Sequence, residues 1–352
     1  MLRASFIPRP LVFKRPAGTS RGVLRTKPSW YLIVQHDEDN GPRGIGECSI
    51  IPGLSPEGPE TIEKELQTLC KNINEYPQWL AKRGALFPAI RFALEIAVND
   101  LALGGNRVLF RDDFTAGKKG IPINGLIWMG EPDFMKQQIR EKLDAGFSCI
   151  KIKIGAIDFG EELALLKMIR REYGPETIEI RVDANGAFSP GEAREKLNRL
   201  SEFLLHSIEQ PIQQGLTETM ASLCASSPLP IALDEELIGI SDPEIRRRLL
   251  ETIRPQYIIL KPSLLGGLKA TAEWAALADE LNIGWWVTSA LESNIGLNAI
   301  AQWTYQNTTN MPQGLGTGQL YTNNIPSPLV IEKGQLFHHP QLGWDLKVLD
   351  HD

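Results

Sequence analysis

A parallel β/α barrel joined to an α+β segment is the architecture this sequence predicts. Three observations carry it. From Ile121 onward, short apolar strands alternate with helical stretches. Their polar landmarks recur at nearly even steps: Lys153 to Asp183 is 30 residues, and the next intervals, to Glu209, Asp234, Lys261 and Ser289, are 26, 25, 27 and 28. That step holds one strand, one helix and two loops. Before Ile121 the pattern differs, with antiparallel strands followed by amphipathic helices. For the alternating part a doubly wound sheet is the other architecture with this rhythm.

In chain order, WYLIVQH (30–36) and GIGECSI (44–50) read as two strands, with Asn40-Gly41 as the hairpin turn signal between them. From Ser55 to about Leu80, and from Phe87 to Leu103, apolar residues recur at three and four, which predicts helices. Pro56 suits the first of these starts. GGNRVLFRDDFTAGKKG (104–120) is a connection. The barrel strands are IPINGLIW, CIKIKIG, IEIRVDANG, LHSIEQPI, PIALDEEL, YIILKPS, GWWVTSALES and, with a weaker pattern, QGLGTG (313–318). The last segment, from Ser327 to Val348, returns to short strands around a Lys-Gly turn and is expected to fold back on the N-terminal part.

Composition narrows the function. The chain has 352 residues, long enough for a large domain and a smaller one. Lys plus Arg number 37 against 43 Asp plus Glu, with no basic stripe, so nucleic acid is excluded as a partner. Four cysteines, Cys48, Cys70, Cys149 and Cys224, are scattered with no CxxC pair, which reads as reduced thiols in a cytoplasmic protein. No segment approaches the length of a membrane span, and the basic start is broken by prolines before any signal-like apolar run. No oligomeric state follows from the sequence.

The chemistry lies in CIKIKIG (149–155). Side chains alternate along a strand, so Ile150, Ile152 and Ile154 face the helices while Cys149, Lys151 and Lys153 face the barrel interior. The same parity sends Arg181, Asp183 and Asn185 inward, Glu209 with Ser207, Asp234 with Ala232, and Lys261 with Ile259 and Ser263. It sends His206 outward to the helix layer, and Glu235 away from Asp234. Each landmark stands at the C-terminal end of its strand, where barrel active sites assemble. Any one of them alone reads as a structural ion pair; six in ordered series read as a site. Three carboxylates side by side repel, and a hard divalent cation removes that repulsion while leaving positions for a small carboxylate substrate. Such a site suits removal of a proton next to a carboxylate, with the enediolate stabilised electrostatically. A second lysine two residues away lowers the pKa of the first, which must lose its proton to act as a base.

These motifs resemble the enolase superfamily over nearly the whole chain, and that family's known pattern is a Lys or His base beside Mg²⁺. The KxK of Lys151 and Lys153, with Lys261 on the sixth strand, is similar to its muconate-lactonizing-enzyme subgroup. The resemblance implies a modified TIM barrel, (β/α)7β, with an α+β capping domain: cap 1–115, barrel 116–318, and 319–352 returning to the cap. It implies Asp183, Glu209 and Asp234 as ligands of Mg²⁺, with Mn²⁺ a substitute. Lys153 is then the base, Lys261 the cation on the opposite face of the substrate and Lys151 the tuning neighbour, with Asn185, Arg181 and Glu235 behind the ligands.

Within the subgroup, TSALESNIGLNAIAQW (288–303) and GLGTGQLYTNNIPSPL (314–329) resemble a branch that dehydrates a succinyl-hydroxycyclohexadiene carboxylate to an aromatic acid in menaquinone biosynthesis. On that reading Ser263, Ser289 and Ser293 hold the succinyl group; their plainer reading is as helix caps. Pro16–Gly22 resembles the family's lid, and as bare sequence is a loop. Racemisation of an N-succinylamino acid uses the same two lysines and stays open. A dipeptide substrate is disfavoured because 313–324 holds no acid, and a histidine base because His206 is the sole histidine between Gly120 and Leu320.

Overall fold

The computed structural model describes residues 1–19, 22–37, 41–128, 130–307 and 311–350. Strands Leu2–Pro8, Ser29–His36 and Arg43–Ser49 form an antiparallel sheet with the middle strand central. Asn40 of the expected turn lies outside the described residues, while the strands either side of it pair as anticipated. Helices Pro59–Lys71, Tyr76–Arg83 and Pro88–Ala102 cover one face of the sheet. The first begins at Pro59 and not Pro56: residues 52–57 form turns, and Gly58 supplies the extended residue before the helix.

Two glycines set how closely this layer packs. A Cβ on Gly44 would lie 1.9 Å from the carbonyl oxygen of Ala97, and one on Gly46 1.9 Å from that of Ala93. Strand Arg43–Ser49 therefore lies directly on the backbone of helix Pro88–Ala102.

Seven parallel strands follow in unbroken sequence order: Gly125–Ile127, Cys149–Lys153, Glu179–Asp183, Ser207–Glu209, Ile231–Leu233, Tyr257–Leu260 and Gly284–Val287. Sequential neighbours at every step exclude the doubly wound alternative, whose order reverses at a switch point. The expected eighth strand, QGLGTG, is reduced to two residues. Gln313 bridges Ile123 and Gly314 bridges Thr288, so these two positions close the ring between the last strand and the first. Gln313 also accepts the Val287 N–H through its side chain, and Gly316–Gln319 is a short helical turn.

The inside–outside alternation holds along the sheet. Ile150, Ile152, Ile154, Ile180, Val182, Ala184, Ile208, Ile258 and Leu260 join the large core between strands and helices. Ala232, Ile259 and Trp286 form a separate cluster inside the barrel. His206 departs from the expectation. Its ring centroid lies 4.9 Å from that of Tyr257 and 6.0 Å from that of Trp286, at the foot of the interior. The residue precedes the first paired position, Ser207, so strand alternation does not reach it.

The tail divides. Strands Leu329–Glu332 and Gln335–His338 turn at Lys333 and Gly334, both at positive φ as a tight primed turn requires, and the second of them pairs with Ile121–Pro122, just ahead of the first barrel strand, in a small sheet of its own. Beyond them Trp344, Leu346 and Leu349 pack with Tyr31, Ile33 and Ile45 of the cap sheet. The cap hairpin Leu11–Thr19 with Gly22–Lys27 joins the barrel side through Phe13, which bridges Tyr321. Ser20 and Arg21 at its tip lie outside the described residues. Among the described residues no helix is long and apolar enough to cross a membrane.

The Gly46→Ala chain is expected to lose about 3 kcal/mol or more, since the methyl meets backbone that cannot rotate away. Thermal denaturation reads this as a clear fall in melting temperature; an unchanged melt contradicts the close approach.

Candidate active site

The sheet register builds the site. Lys153, Asp183 and Glu209 are partners across three adjacent strands, so their side chains stand level inside the barrel. Asp234 and Lys261 each follow the last residue of the next two strands, Ile231–Leu233 and Tyr257–Leu260. Two strand ends turn through left-handed backbone, at Asn185 (φ 45°) and Gln210 (φ 43°). The Gln210 side chain is fixed on both sides, donating to the Ile212 carbonyl (3.1 Å) and accepting the Asp234 N–H (3.2 Å). It thereby sets the third carboxylate relative to the second.

The charges interlock. Lys151 Nζ lies 3.1 Å from Asp183 Oδ2 and 2.8 Å from Glu209 Oε2. Lys153 Nζ donates to Asp183 Oδ2 and, at 2.8 Å, to Asn185 Oδ1. Lys261 pairs with Asp234 and lies 3.7 Å from Glu209 Oε1. Asn185 Nδ2 continues the chain to Glu235 Oε1 at 3.1 Å. All six charged groups are buried.

Burial divides the lysines. It pulls the Lys153 ammonium below its ordinary value; Asp183 opposes this and Lys151 adds to it. For Lys151 burial acts the same way, but the carboxylates of Glu209 and Asp183 outweigh it and hold the ammonium well above its usual range. Lys261 is likewise held up, by Asp234 and then Glu209, against its own burial. Asp183 is kept far down by Lys153, Lys151 and Lys261 despite burial, whereas burial and the charge of Asp183 push Glu209 up to about 7. Lys153 is thus the member of the trio whose surroundings favour losing a proton.

The donor set fits a divalent metal. Among the described residues no three acidic, His or Cys side chains are drawn together at metal–ligand separation; lysine ammoniums bridge the carboxylates instead. Glu209 Oε1, however, is buried without a hydrogen-bond partner. Three hard oxygen donors on consecutive strands, one with an orphaned lone pair and a raised pKa, match what Mg²⁺ takes.

Lys151, Lys153, Lys261 and Asn185 open on a cavity of about 520 Å³. Its outer wall comes from the cap hairpin, through Phe13, Lys14, Arg15 and Pro16, and its far wall from Thr288 to Leu291 and Thr317.

Residues 134–348 match the family described as enolase C-terminal domain-like. The o-succinylbenzoate synthase of Desulfotalea psychrophila (strain LSv54 / DSM 12343) is 54% identical over 357 residues, spanning 93% of this chain and 96% of that protein. The chain belongs to the enolase superfamily. The crystal structure of MenC from Desulfotalea psychrophila LSv54 has the same fold, with a TM-score of 0.84 at 50% identity over 96% of this chain and 99% of that one. More distant is a dipeptide epimerase of Enterococcus faecalis V583, solved with Mg and the dipeptide L-Leu-L-Tyr. It gives a TM-score of 0.82 at 21% identity over 97% of this chain and 99% of that one, a likeness of fold.

Against the superfamily pattern, the structure gathers Lys151, Lys153, Lys261, Asp183, Glu209, Asp234, Asn185 and Glu235 at one place. Arg181 stands one layer lower. It bonds Glu179 (2.7 Å) and the Pro312 carbonyl (2.9 Å) and lies 4.3 Å from the Trp286 ring centre, forming the floor of the barrel. The serines also need correction. Ser263 and Ser293 are fully buried and donate at 2.5 Å to Glu292 and Glu47, so neither hydroxyl reaches the cavity. Ser289 lines the cavity, but its hydroxyl proton goes to Glu292, also at 2.5 Å.

Those partners were not singled out from the sequence. Glu47 and Lys27 are wholly buried in the cap, where burial pushes the carboxyl up and pulls the ammonium down. Glu47 accepts the N–H groups of Ser293 (2.8 Å) and Gly296 (2.9 Å) at the start of helix Asn294–Asn307, tying cap to barrel. A lone acid inside GIGECSI is the signal that could have found it, by the logic that found the lysines.

Asp183→Asn is expected to weaken Mg²⁺ binding at least about tenfold, since ligand charge governs affinity at oxygen sites. Calorimetric titration of the folded variant with Mg²⁺ measures it; wild-type affinity would remove Asp183 from the metal set.

Proposed function

We propose that this chain catalyses the o-succinylbenzoate synthase reaction, the Mg²⁺-dependent syn dehydration of 2-succinyl-6-hydroxy-2,4-cyclohexadiene-1-carboxylate to 2-succinylbenzoate. It is then a carbon–oxygen hydro-lyase serving menaquinone biosynthesis. The observation that carries this reading is the pair Lys153 and Lys261. They stand four strands apart in a ring of eight positions, hence on opposite walls, and both open on one cavity beside one acidic cluster. The 50% identity to the solved MenC chain, against 21% to the solved epimerase, favours dehydration among the reactions such a pair can perform.

Asp183, Glu209 and Asp234 would hold Mg²⁺, which when bound supplies positive charge against the developing enediolate. Lys153 Nζ takes the proton from the ring carbon bearing the carboxylate, and the C–H electron pair is taken up by that carboxylate as the enediolate. The same ammonium then gives its proton to the β-hydroxyl on that face; the pair returns to form the last ring double bond, the C–O bond breaks with its electrons on oxygen, and water leaves. Lys261 faces the planar anion from the other side and stays charged, as its pairing with Asp234 and Glu209 favours. Lys151 keeps Asp183 and Glu209 together and lowers the proton affinity of Lys153. Asn185 orients Lys153 by accepting from its Nζ. The four cysteines are free, which suits a reducing compartment, and we place the chain in the cytoplasm.

With Mg²⁺ and the diene, the chain is expected to abolish the diene absorbance within minutes, with slow or no racemisation of N-succinylamino acids by polarimetry. Racemisation without dehydration would move the function to the isomerase. Lys153→Ala should lower turnover by about 10⁴-fold or more; dehydration retained in that variant would sink the assignment of the base.

A further inference from the structure

The opposite wall of the cavity rests on a carboxylate that the reaction as described does not use. Glu292 has no exposed surface. Its Oε1 accepts from Ser263 Oγ at 2.5 Å, and its Oε2 accepts from Ser289 Oγ at 2.5 Å. Ser263 lies in the one-turn helix Pro262–Leu265 that begins immediately after Lys261. Ser289 stands two residues beyond the Gly284–Val287 strand. One side chain therefore joins the ends of the sixth and seventh strands.

The join extends further. Ser289 Oγ, its own proton committed to Glu292, accepts from Thr317 Oγ1 (2.7 Å) just past the closing eighth position, and from the N–H groups of Leu291 (3.1 Å) and Glu292 (3.3 Å). These bonds hold Leu291 at φ 65°, a conformation a branched side chain rarely adopts. Tyr321 fixes the same residue by donating to its carbonyl at 2.6 Å. Leu291, Ser289, Thr317 and Lys261 all line the cavity. Lys27, wholly buried at the end of the cap hairpin, lies near enough for the charge of Glu292 to act on it, and donates to Ser49 Oγ.

We infer that Glu292 is a positioning residue for the reaction proposed above: it clamps three strand ends into one wall, so that Lys261 and the Ser289–Leu291 turn meet the face of the substrate opposite Lys153. The clamp acts through Ser263 and Ser289 and touches no reacting atom. Glutamine keeps the shape and one acceptor but cannot accept from both hydroxyls; alanine removes both bonds.

The inference rests on the synthase reading, so its test has one arm that needs no activity. Hydrogen–deuterium exchange of Glu292→Ala and Glu292→Gln is compared with wild type, alongside steady-state dehydration with Mg²⁺ titration. The amides of Leu291 and Glu292, and the segment 261–266, should exchange faster in both variants, with segment 149–185 unchanged. Turnover should fall about 10- to 100-fold, more in the alanine chain, as misplacement of a positioned group does. KM for the diene and half-saturation by Mg²⁺ should stay within about threefold of wild type, because the metal carboxylates and the base are on other strands. Unchanged exchange at 261–266 and 289–292 overturns the clamp, and so does faster exchange with wild-type turnover. If the wild-type chain does not dehydrate the diene, the synthase reading falls, and the exchange arm still decides the clamp. Should the alanine chain fail to fold, Glu292→Gln and Ser263→Ala carry both arms.

Discussion

Three lysines and three carboxylates buried in one barrel interior are the constraint on which this structure depends. A lone buried charge costs several kcal/mol, and breaking a buried pair exposes that cost. The six groups therefore have to be placed so that each faces an opposite charge. Parallel strands in register accomplish this: Lys153, Asp183 and Glu209 stand level because their strands pair residue for residue. Asp234 and Lys261 complete the ring from the next two strand ends. The arrangement is not symmetrical, and its asymmetry has chemical meaning. Lys151 and Lys261 are held charged by two carboxylates each, while Lys153, with one carboxylate and a like-charged neighbour, is the one whose ammonium burial weakens.

Most of this was legible because strand alternation is a strict rule. CIKIKIG could have only one apolar face, and the separate interior cluster of Ala232, Ile259 and Trp286 follows from the same parity. The rule fails where strands end. His206, one residue before its strand, turns into the interior, and the eighth strand survives as Gln313 and Gly314 because side-chain and backbone bonds to Val287, Pro122 and Asn124 replace a ladder. Ser263 and Ser293 were misplaced for a related reason. They sit past strand ends, in turns whose direction is set by partners distant in sequence, Glu292 and Glu47, and hydroxyls offer no apolar pattern to read. Those acids were missed because a single acid in a short run looks like a solvated residue until its counterparts are known.

The cap contributes more than a cover. Gly44 and Gly46 let strand Arg43–Ser49 sit on the helix backbone, which carries Glu47 inward to the start of helix Asn294–Asn307. Lys27, at the end of the cap hairpin, brings its amine to the same buried junction, where it donates to Ser49. The hairpin that walls the cavity through Phe13 and Lys14 also packs Phe13 into one apolar cluster with Leu291 of the barrel turn. Fold alone does not choose a reaction; in the function proposed here the lysine pair supplies proton transfer next to a carboxylate, and the 54% identity to a synthase favours elimination.

Whether Lys153 and Lys261 act on opposite faces of one ring beside one metal is decided by a crystal structure of the chain with Mg²⁺ and 2-succinylbenzoate. The expected arrangement has the metal bound by Asp183, Glu209 and Asp234, the aromatic carboxylate beside it, and the ring plane between the two ammoniums. A product lying with both lysines on the same side, or seated away from the three carboxylates, would contradict it.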